Sequence, residues 1–169
     1  MHIYLDLDGV VVDLESAFEN YYFDRKYDQT WQHYEKTTLN TTIFKKIYEE
    51  TDPYEFWLNL NPLPGYMELI DKCVGYVGQK NISILSAPTN DFTTECALGK
   101  MDWVKKGIPY NFRCNIVKMS DKKLFSGKDK ILIDDMSKNI IEWTMAGGIG
   151  ILHTTNEHTF QELKNIFGR

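Results

Sequence analysis

The sequence predicts an α/β fold with a mainly parallel central sheet. Short apolar runs bounded by turn residues are candidates for buried strands. They cover residues 2–7, 81–86, 114–119, 130–135 and 148–153. Segments with apolar residues at helical spacing cover 66–77, 92–106, 137–146 and 157–167. Strands that alternate with helices are typical of parallel sheets, because parallel neighbours need a crossover connection.

The stretch between residues 14 and 62 departs from this alternation. It contains no strand pattern but many aromatic residues, among them Trp31 and Trp57. We interpret it as a small helical insertion after the first strand. The predicted organisation is therefore one core, formed by 1–13 and 63–169, with the insertion at 14–62.

Glycine and proline mark the limits of the later elements. The turn "PLPG" (62–65) precedes the helix at 66–77, where Leu69, Ile70 and Cys73 recur at helical intervals. The other helices stop where a residue cannot continue a helix or weakens it. These stop signals are Gly107 with Pro109, Gly147 with Gly148, and Gly168.

Composition restricts the class of protein. The chain has 169 residues, of which 43% are hydrophobic, so a core can be buried. Its net charge of −5 gives no support for binding a nucleic-acid polymer, which normally requires a basic face. No apolar stretch approaches the roughly 18 residues of a membrane-spanning helix. Cys73, Cys96 and Cys114 show no metal-binding spacing and fit a reducing compartment. We therefore expect a soluble cytoplasmic protein without nucleic-acid or membrane partners, and a homodimer is compatible with the sequence.

Acidic residues stand at the ends of two predicted strands. Asp6 and Asp8 follow the first apolar run, and Asp134 and Asp135 end the run at 130–135. In an open parallel sheet, ligands bind outside the carboxyl ends of the strands. If these two strands are neighbours, the carboxylates converge, and such closely spaced like charges need a cation or a proton. Hard oxygen ligands of this kind suit Mg²⁺.

A third strand end adds groups that can bind phosphate. Ser86 ends the second predicted strand, and its hydroxyl, with the backbone N–H groups that follow, can hold phosphate oxygens. Lys100, on the next predicted helix, can place an ammonium group against the same anion. Lys122, Lys123 and Lys128 compete for this role, with Lys122 as the second candidate.

Together these groups predict phosphoryl-transfer chemistry. An Asp beside Mg²⁺ can attack phosphorus to form an aspartyl-phosphate, which water then hydrolyses. A second Asp, two residues on, can protonate the leaving oxygen and later deprotonate the water. Gly9 lets the backbone turn close to the phosphate.

The motifs "DLDGV" (6–10), a strand-end Ser86, a downstream Lys and "LIDD" (132–135) resemble those of the haloacid dehalogenase superfamily of phosphatases. Further segments are similar to the 5′(3′)-deoxyribonucleotidase family within it. These are "FWLNLNPLPGY" (56–66), "ISILSAP" (82–88), "KMDWVKK" (100–106) and "DKILIDDMSKNI" (129–140). The resemblance covers most of the chain outside much of 20–50. It implies a Rossmannoid three-layer fold with a cap, and hydrolysis of (deoxy)ribonucleoside monophosphates.

The resemblance also implies roles for individual residues. Asp6 would be the nucleophile and Asp8 the general acid and base. Mg²⁺ would be held by the Asp6 carboxylate, the Asp8 carbonyl and Asp134, with Asp135 in support. The groups implied to hold the phosphate are Gly9, Ser86, the Ala87 N–H and Lys100.

Two segments depart from the family pattern. Leu14 stands where these nucleotidases often have an aromatic residue, and Thr89 and Asn90 follow Pro88 where a basic residue is common. Both changes concern substrate binding, so a phosphosugar or another small phosphate ester is the alternative substrate. A non-enzymatic receiver-like module also gathers acids and Mg²⁺, but it has no room for such an insertion. An EF-hand loop is disfavoured because Tyr4 would be its first ligand.

Overall fold

The computed structural model describes most of the chain. The described residues are 1–23, 44–89 and 93–168, with the side chains of 19–23 left aside. Residues 24–43 of the predicted cap, and Asn90, lie outside the described residues. In the described part of the chain, no helix is both long and apolar enough to cross a membrane.

Strands and helices alternate as predicted. The strands are β1 (His2–Leu5), β2 (Ile82–Ser86), β3 (Arg113–Ile116), β4 (Lys130–Asp134) and β5 (Ile149–Leu152). The helices are α1 (Leu14–Phe23), α2 (44–50), α3 (Pro53–Leu58), α4 (Tyr66–Val77), α5 (Thr93–Gly107), α6 (Ser137–Met145) and α7 (Asn156–Phe167). Short 3₁₀ helices cover Gln79–Asn81 and Met119–Phe125. The α/β class is confirmed.

Two predicted strands extend too far. The first, predicted over 2–7, stops at Leu5, and the third differs more. The apolar run at 114–119 suggests a strand to its end, but β3 stops at Ile116 and a 3₁₀ helix begins at Met119. An apolar run indicates burial without deciding conformation. In this segment Met119 is exposed, whereas Lys122 is buried through ion pairs, so the pattern is not that of a core strand.

All five described strands are parallel, in the order β3-β2-β1-β4-β5. Ile3 of β1 pairs with Ile82 on one side and with Ile131 on the other. The chain builds outward from β1 to β3, then returns to the other side of β1 to form β4 and β5. The strand order therefore reverses beside β1, which is where ligands bind in open parallel sheets.

The two faces of the sheet are covered by different layers. Ile3 and Leu5 belong to the larger apolar core, together with α4, α5 and α7. Tyr4 and Leu132 face the other way, where Trp143 of α6 is fully buried against them. Side chains of successive strand residues point to opposite faces, so both faces of β1 are buried and the strand reads as a nearly continuous apolar run.

Helix α3, the last helix within the predicted insertion, packs directly on α5. A Cβ atom at Gly99 would lie 2.6 Å from the Tyr54 carbonyl oxygen and 2.7 Å from the Trp57 Cβ, so only glycine allows this approach. The Tyr54 hydroxyl also donates a hydrogen bond to Asp102 at 3.0 Å. This end of the insertion is therefore held against the helix that carries Lys100.

Candidate active site

The carboxyl ends of β2, β1 and β4 bring the predicted site residues together. Asp6 directly follows β1, Ser86 ends β2 and Asp134 ends β4. All three side chains are buried. The prediction that the acids converge depended on β1 and β4 being neighbours, and they are paired along their length.

Three carboxylates form a cluster that could hold a cation. Asp6, Asp134 and Asp135 each offer an oxygen, and these oxygens lie within 4.8 Å of one another. Burial, followed by the charge of Asp6, raises the pKa of Asp134 to about 6 and that of Asp135 to about 7. Carboxylates crowded in this way are stabilised by a bound cation, and their hard oxygen atoms fit Mg²⁺.

Lys122 lies among these acids. Its Nζ is 2.8 Å from Asp6 Oδ2 and 2.7 Å from Asp134 Oδ2, and its side chain is only 3% exposed. Burial lowers the pKa of Lys122, but Asp6 and Asp134 together raise it above its ordinary value. Lys122, the second candidate from the sequence for the phosphate-binding lysine, is therefore the lysine that contacts Asp6, the predicted nucleophile.

Lys100 contacts a different set of groups. Its Nζ donates hydrogen bonds to Asp8 Oδ2 at 2.5 Å, to the Ala87 carbonyl oxygen at 2.7 Å and to Ser86 Oγ at 3.3 Å. The two lysines therefore contact different parts of the site. Lys122 neutralises Asp6 and Asp134, whereas Lys100 joins Asp8 to the strand end of β2.

Asp8 has one oxygen without a partner. Burial raises the pKa of Asp8, and the nearby Lys100 charge opposes this shift. Among the described residues, Asp8 Oδ1 is the buried side-chain polar atom that has no hydrogen bond. Leaving a buried carboxylate oxygen unpaired is costly, so a proton or a ligand group is expected to meet it.

Asn139 was missed by the sequence reasoning. Its Nδ2 donates to both Asp134 oxygens at 3.0 Å, and the Met136 N–H donates to Asp134 Oδ1 at 2.9 Å. These donors hold the carboxylate in one orientation at the start of α6. The signal available from sequence was a polar residue in the first turn of the helix that follows the acids, which alone does not distinguish a buried Asn from an exposed one.

Gly9 is required by the approach of Asp135. Its φ is +70°, in the left-handed region, and a Cβ atom there would overlap the Asp135 carboxylate. The loop around it is tight, because the Leu7 carbonyl accepts the N–H groups of Val11 at 2.8 Å and Val12 at 2.9 Å. The sequence predicts a role for Gly9 in phosphate binding, and the structure adds a close approach to Asp135.

A cleft of about 500 Å³ opens next to the acids, on the side away from β2. Gly9, Leu14 and Asp135 line it, together with residues 153–157, whereas Ser86 and Lys100 do not. Leu14, the position where the family often has an aromatic residue, therefore faces a space that reaches the acidic cluster.

Paired acids follow the first strand of this parallel α/β sheet, a serine and further acids end the neighbouring strands, and two lysines are buried among them. This arrangement is typical of the haloacid dehalogenase class. The family described as "5′ nucleotidase, deoxy (Pyrimidine), cytosolic type C protein" matches residues 1–165, and the chain belongs to this family.

Individual relatives agree with this assignment. The chain is 27% identical over 145 residues to a protein named "5′(3′)-deoxyribonucleotidase, mitochondrial" from Homo sapiens, and 26% identical to its namesake from Mus musculus. The alignments cover 80% of this chain but only 62% and 64% of the relatives. The fold is similar to the crystal structure of a hydrolase from Streptococcus pneumoniae TIGR4, with a TM-score of 0.54, 14% identity and coverage of 99% and 98% of the two chains. The predicted family resemblance is confirmed.

Proposed function

We propose that this protein is a Mg²⁺-dependent phosphomonoesterase that hydrolyses (deoxy)ribonucleoside monophosphates through an aspartyl-phosphate. The observation that carries the proposal is the convergence of Asp6, Asp8, Ser86 and Asp134 at neighbouring strand ends, with Lys100 and Lys122 buried among them. Family membership and the names of the relatives support the nucleotide as substrate.

In the first step, an Asp6 carboxylate oxygen attacks phosphorus while the bond to the leaving alcohol breaks. Asp8 gives its proton to the leaving oxygen, so the alcohol departs neutral. Burial favours the protonated form of Asp8, as this role requires. Asp8 Oδ1, the oxygen without a hydrogen-bond partner, is the atom we assign to this proton.

In the second step, Asp8 takes a proton from water, and the resulting hydroxide attacks the phosphorus of the aspartyl-phosphate. Phosphate leaves and the Asp6 carboxylate is regenerated, so atoms and charge balance over the cycle. Asp6, Asp134 and Asp135 would hold Mg²⁺ with the Asp8 carbonyl, and the ion would neutralise charge on the transferring phosphoryl group.

The phosphate oxygens require donors that stay in place. Ser86 is fully buried at the end of β2, and Lys100 is held beside it. Lys122 contacts the nucleophile directly, so its charge stays close to the phosphoryl group when this group is transferred to Asp6. Fixed donors of this kind stabilise the transition state without reorganising during the reaction.

Aromatic side chains of the insertion support a nucleoside as the leaving group. The Phe44 ring stacks on those of Tyr48 and Trp57, with centroids 5.7 and 5.6 Å apart, on the Lys100 side of the site. Aromatic faces bind nucleobases by stacking. Trp57 and Tyr48 are buried, so within this cluster only the partly exposed Phe44 can offer a face to a base, and we propose it as the aromatic contact.

Phosphate release from 5′-deoxynucleotides, 5′-ribonucleotides, 3′-nucleotides and phosphosugars, each with Mg²⁺ and with EDTA, tests the proposal. We expect metal-dependent release concentrated on the deoxynucleotides. Release mainly from phosphosugars would overturn the nucleotide assignment while keeping the chemistry. No release from any ester would overturn the phosphatase itself.

A matched pair of variants tests the nucleophile. Asp6→Asn keeps the shape of the side chain but removes its nucleophilic oxygen, so turnover should fall at least 1,000-fold, on the order of a lost catalytic group. Asp71→Asn, an exposed substitution on α4, is the control and should retain wild-type turnover. Near-wild-type activity of Asp6→Asn would assign the nucleophile elsewhere.

A further inference from the structure

We propose that Trp57 is a positioning residue for the ammonium group of Lys100, so that the helical insertion takes part in phosphate binding through this pair. The inference rests on the proposed function, in which Lys100 binds the phosphate. Lys100 Nζ lies 4.2 Å from the centroid of the Trp57 ring. This is within the range at which a cation is attracted to the face of an indole.

The contact is shielded from water. Trp57 and Lys100 are each only 2% exposed, and the attraction between a cation and an aromatic face is stronger where water is excluded. Within the described part of the chain, the ammonium group makes polar contacts with Asp8, Ser86 and Ala87. The indole occupies a further side of the group, so the ring limits where the ammonium can lie.

The indole itself is held in one orientation. Its Nε1 donates a buried hydrogen bond to Tyr48 Oη at 2.7 Å, and a second hydrogen bond joins Tyr48 Oη to Thr89 Oγ1 at 3.1 Å. Burial raises the pKa of Tyr48 to about 12, so the phenol stays neutral and can both donate and accept. Tyr48 belongs to α2 and Thr89 to the loop after Ser86, so the ring is fixed from the insertion and from the core.

Gly99 explains why the ring can reach Lys100 at all. A side chain at this position would strike the Tyr54 carbonyl oxygen and the Trp57 Cβ, which would push α3 away from α5. The glycine directly before Lys100 therefore permits the close helix contact that places the indole against the ammonium group. The aromatic face of Trp57 attracts the ammonium group in addition to packing against it. A leucine would fill part of the same volume without attracting a cation.

Binding of inorganic phosphate, the reaction product, is the direct test. We would measure its dissociation constant by calorimetry with Mg²⁺ present, alongside the thermal midpoint of each variant. Trp57→Leu removes the aromatic face that fixes the ammonium group, and we expect phosphate binding about tenfold weaker, the cost of ordering one long side chain on binding. Trp57→Phe keeps a face for the cation and should stay within about threefold of wild type.

Two further variants separate positioning from general destabilisation. Trp143→Leu removes a fully buried indole on the opposite face of the sheet, so its thermal midpoint should fall while phosphate affinity stays within about twofold. Lys100→Met should weaken phosphate binding, and adding Trp57→Leu to it should cause no further loss, because Trp57 acts through Lys100.

Each result decides the proposal. Wild-type phosphate affinity in Trp57→Leu, or losses that multiply in the double variant, would overturn the positioning role alone, provided that the wild type hydrolyses phosphate esters. A wild type that neither binds phosphate nor releases it from an ester would overturn the proposed function as well. If Trp57→Leu does not fold, fluorinated tryptophan weakens the ring's attraction for cations at nearly constant shape. Fluorination should reduce the phosphate affinity of the wild type but not that of Trp57→Phe. If fluorination changes the affinity of the two proteins by the same factor, the inference is overturned.

Discussion

Lys122→Met is expected to destabilise the protein strongly in the absence of Mg²⁺. The ammonium group lies 2.8 Å from Asp6 and 2.7 Å from Asp134, with its side chain 3% exposed. At an effective dielectric constant of about 20, each contact contributes roughly 6 kcal/mol of Coulomb attraction. Much of this is offset by the cost of taking the three charged groups out of water.

Removing one partner leaves the other charges buried without compensation, which costs about 3–5 kcal/mol. A chain of this length loses about 2–4 °C per kcal/mol, so the thermal midpoint should fall by roughly 6–20 °C. Methionine has a similar length to lysine and fills the same space, so the change in the free energy of unfolding reports the lost charge. Circular dichroism during thermal and urea unfolding in EDTA measures it.

Lys123→Met is the matched control. The neighbouring side chain is 46% exposed and 3.3 Å from Glu142, and exposed ion pairs contribute about 0–1 kcal/mol. Saturating Mg²⁺ should restore more stability to Lys122→Met than it adds to the wild type, because the cation then replaces the missing ammonium charge. If Lys122→Met and Lys123→Met unfold at the same urea concentration in EDTA, the ion pairs do not compensate the buried acids and the reasoning is refuted.

Three other predictions follow from individual residues. Gly9→Ala would overlap the Asp135 carboxylate, so a Mg²⁺ titration of phosphate release should shift at least tenfold to higher metal; the control Gly75→Ala, where a Cβ meets nothing within 4 Å, should leave the titration unchanged. Asp134→Ala should also raise the Mg²⁺ requirement at least tenfold, and an unaltered titration would mean that another ligand holds the metal. Burial raises the pKa of Cys73 to about 12, so at pH 8 the folded protein keeps this thiol protonated. A disulfide reagent should therefore label Cys73 only after guanidinium unfolds the chain, and rapid labelling of the native protein would contradict its burial.

The fold class and most element limits were predictable from local pattern. The helix at 66–77 has the predicted limits, and the other predicted helices differ from the structure by single residues at their ends. Periodicity and glycine or proline stops are local properties, so they need no knowledge of the fold. The segment after β3 was not predictable in this way, because Met119 and Leu124 are exposed while its buried residue is Lys122.

The candidate site was predicted only where strand ends could reveal it. Asp6, Ser86 and Asp134 follow buried runs, and the rule that ligands bind at the carboxyl ends of parallel strands places them at one edge of the sheet. Asn139 and the division of labour between Lys100 and Lys122 were not visible. Long side chains reach across several residues, and which acid each one meets depends on how helices cross the sheet.

By itself, the sequence determined a parallel α/β protein with phosphatase-like acids at its strand ends. Apolar runs and the charges that end them are local patterns, so they can be read without knowing the fold. Only the tertiary structure decided that Lys122 forms an ion pair with Asp6 and that Trp57 lies against Lys100. It also decided that Asp135 approaches Gly9 so closely that a Cβ atom there would overlap it. Those contacts join residues far apart in the chain. Their distances depend on the crossing of α3 with α5 and on the order of strands beside β1, which no local pattern specifies.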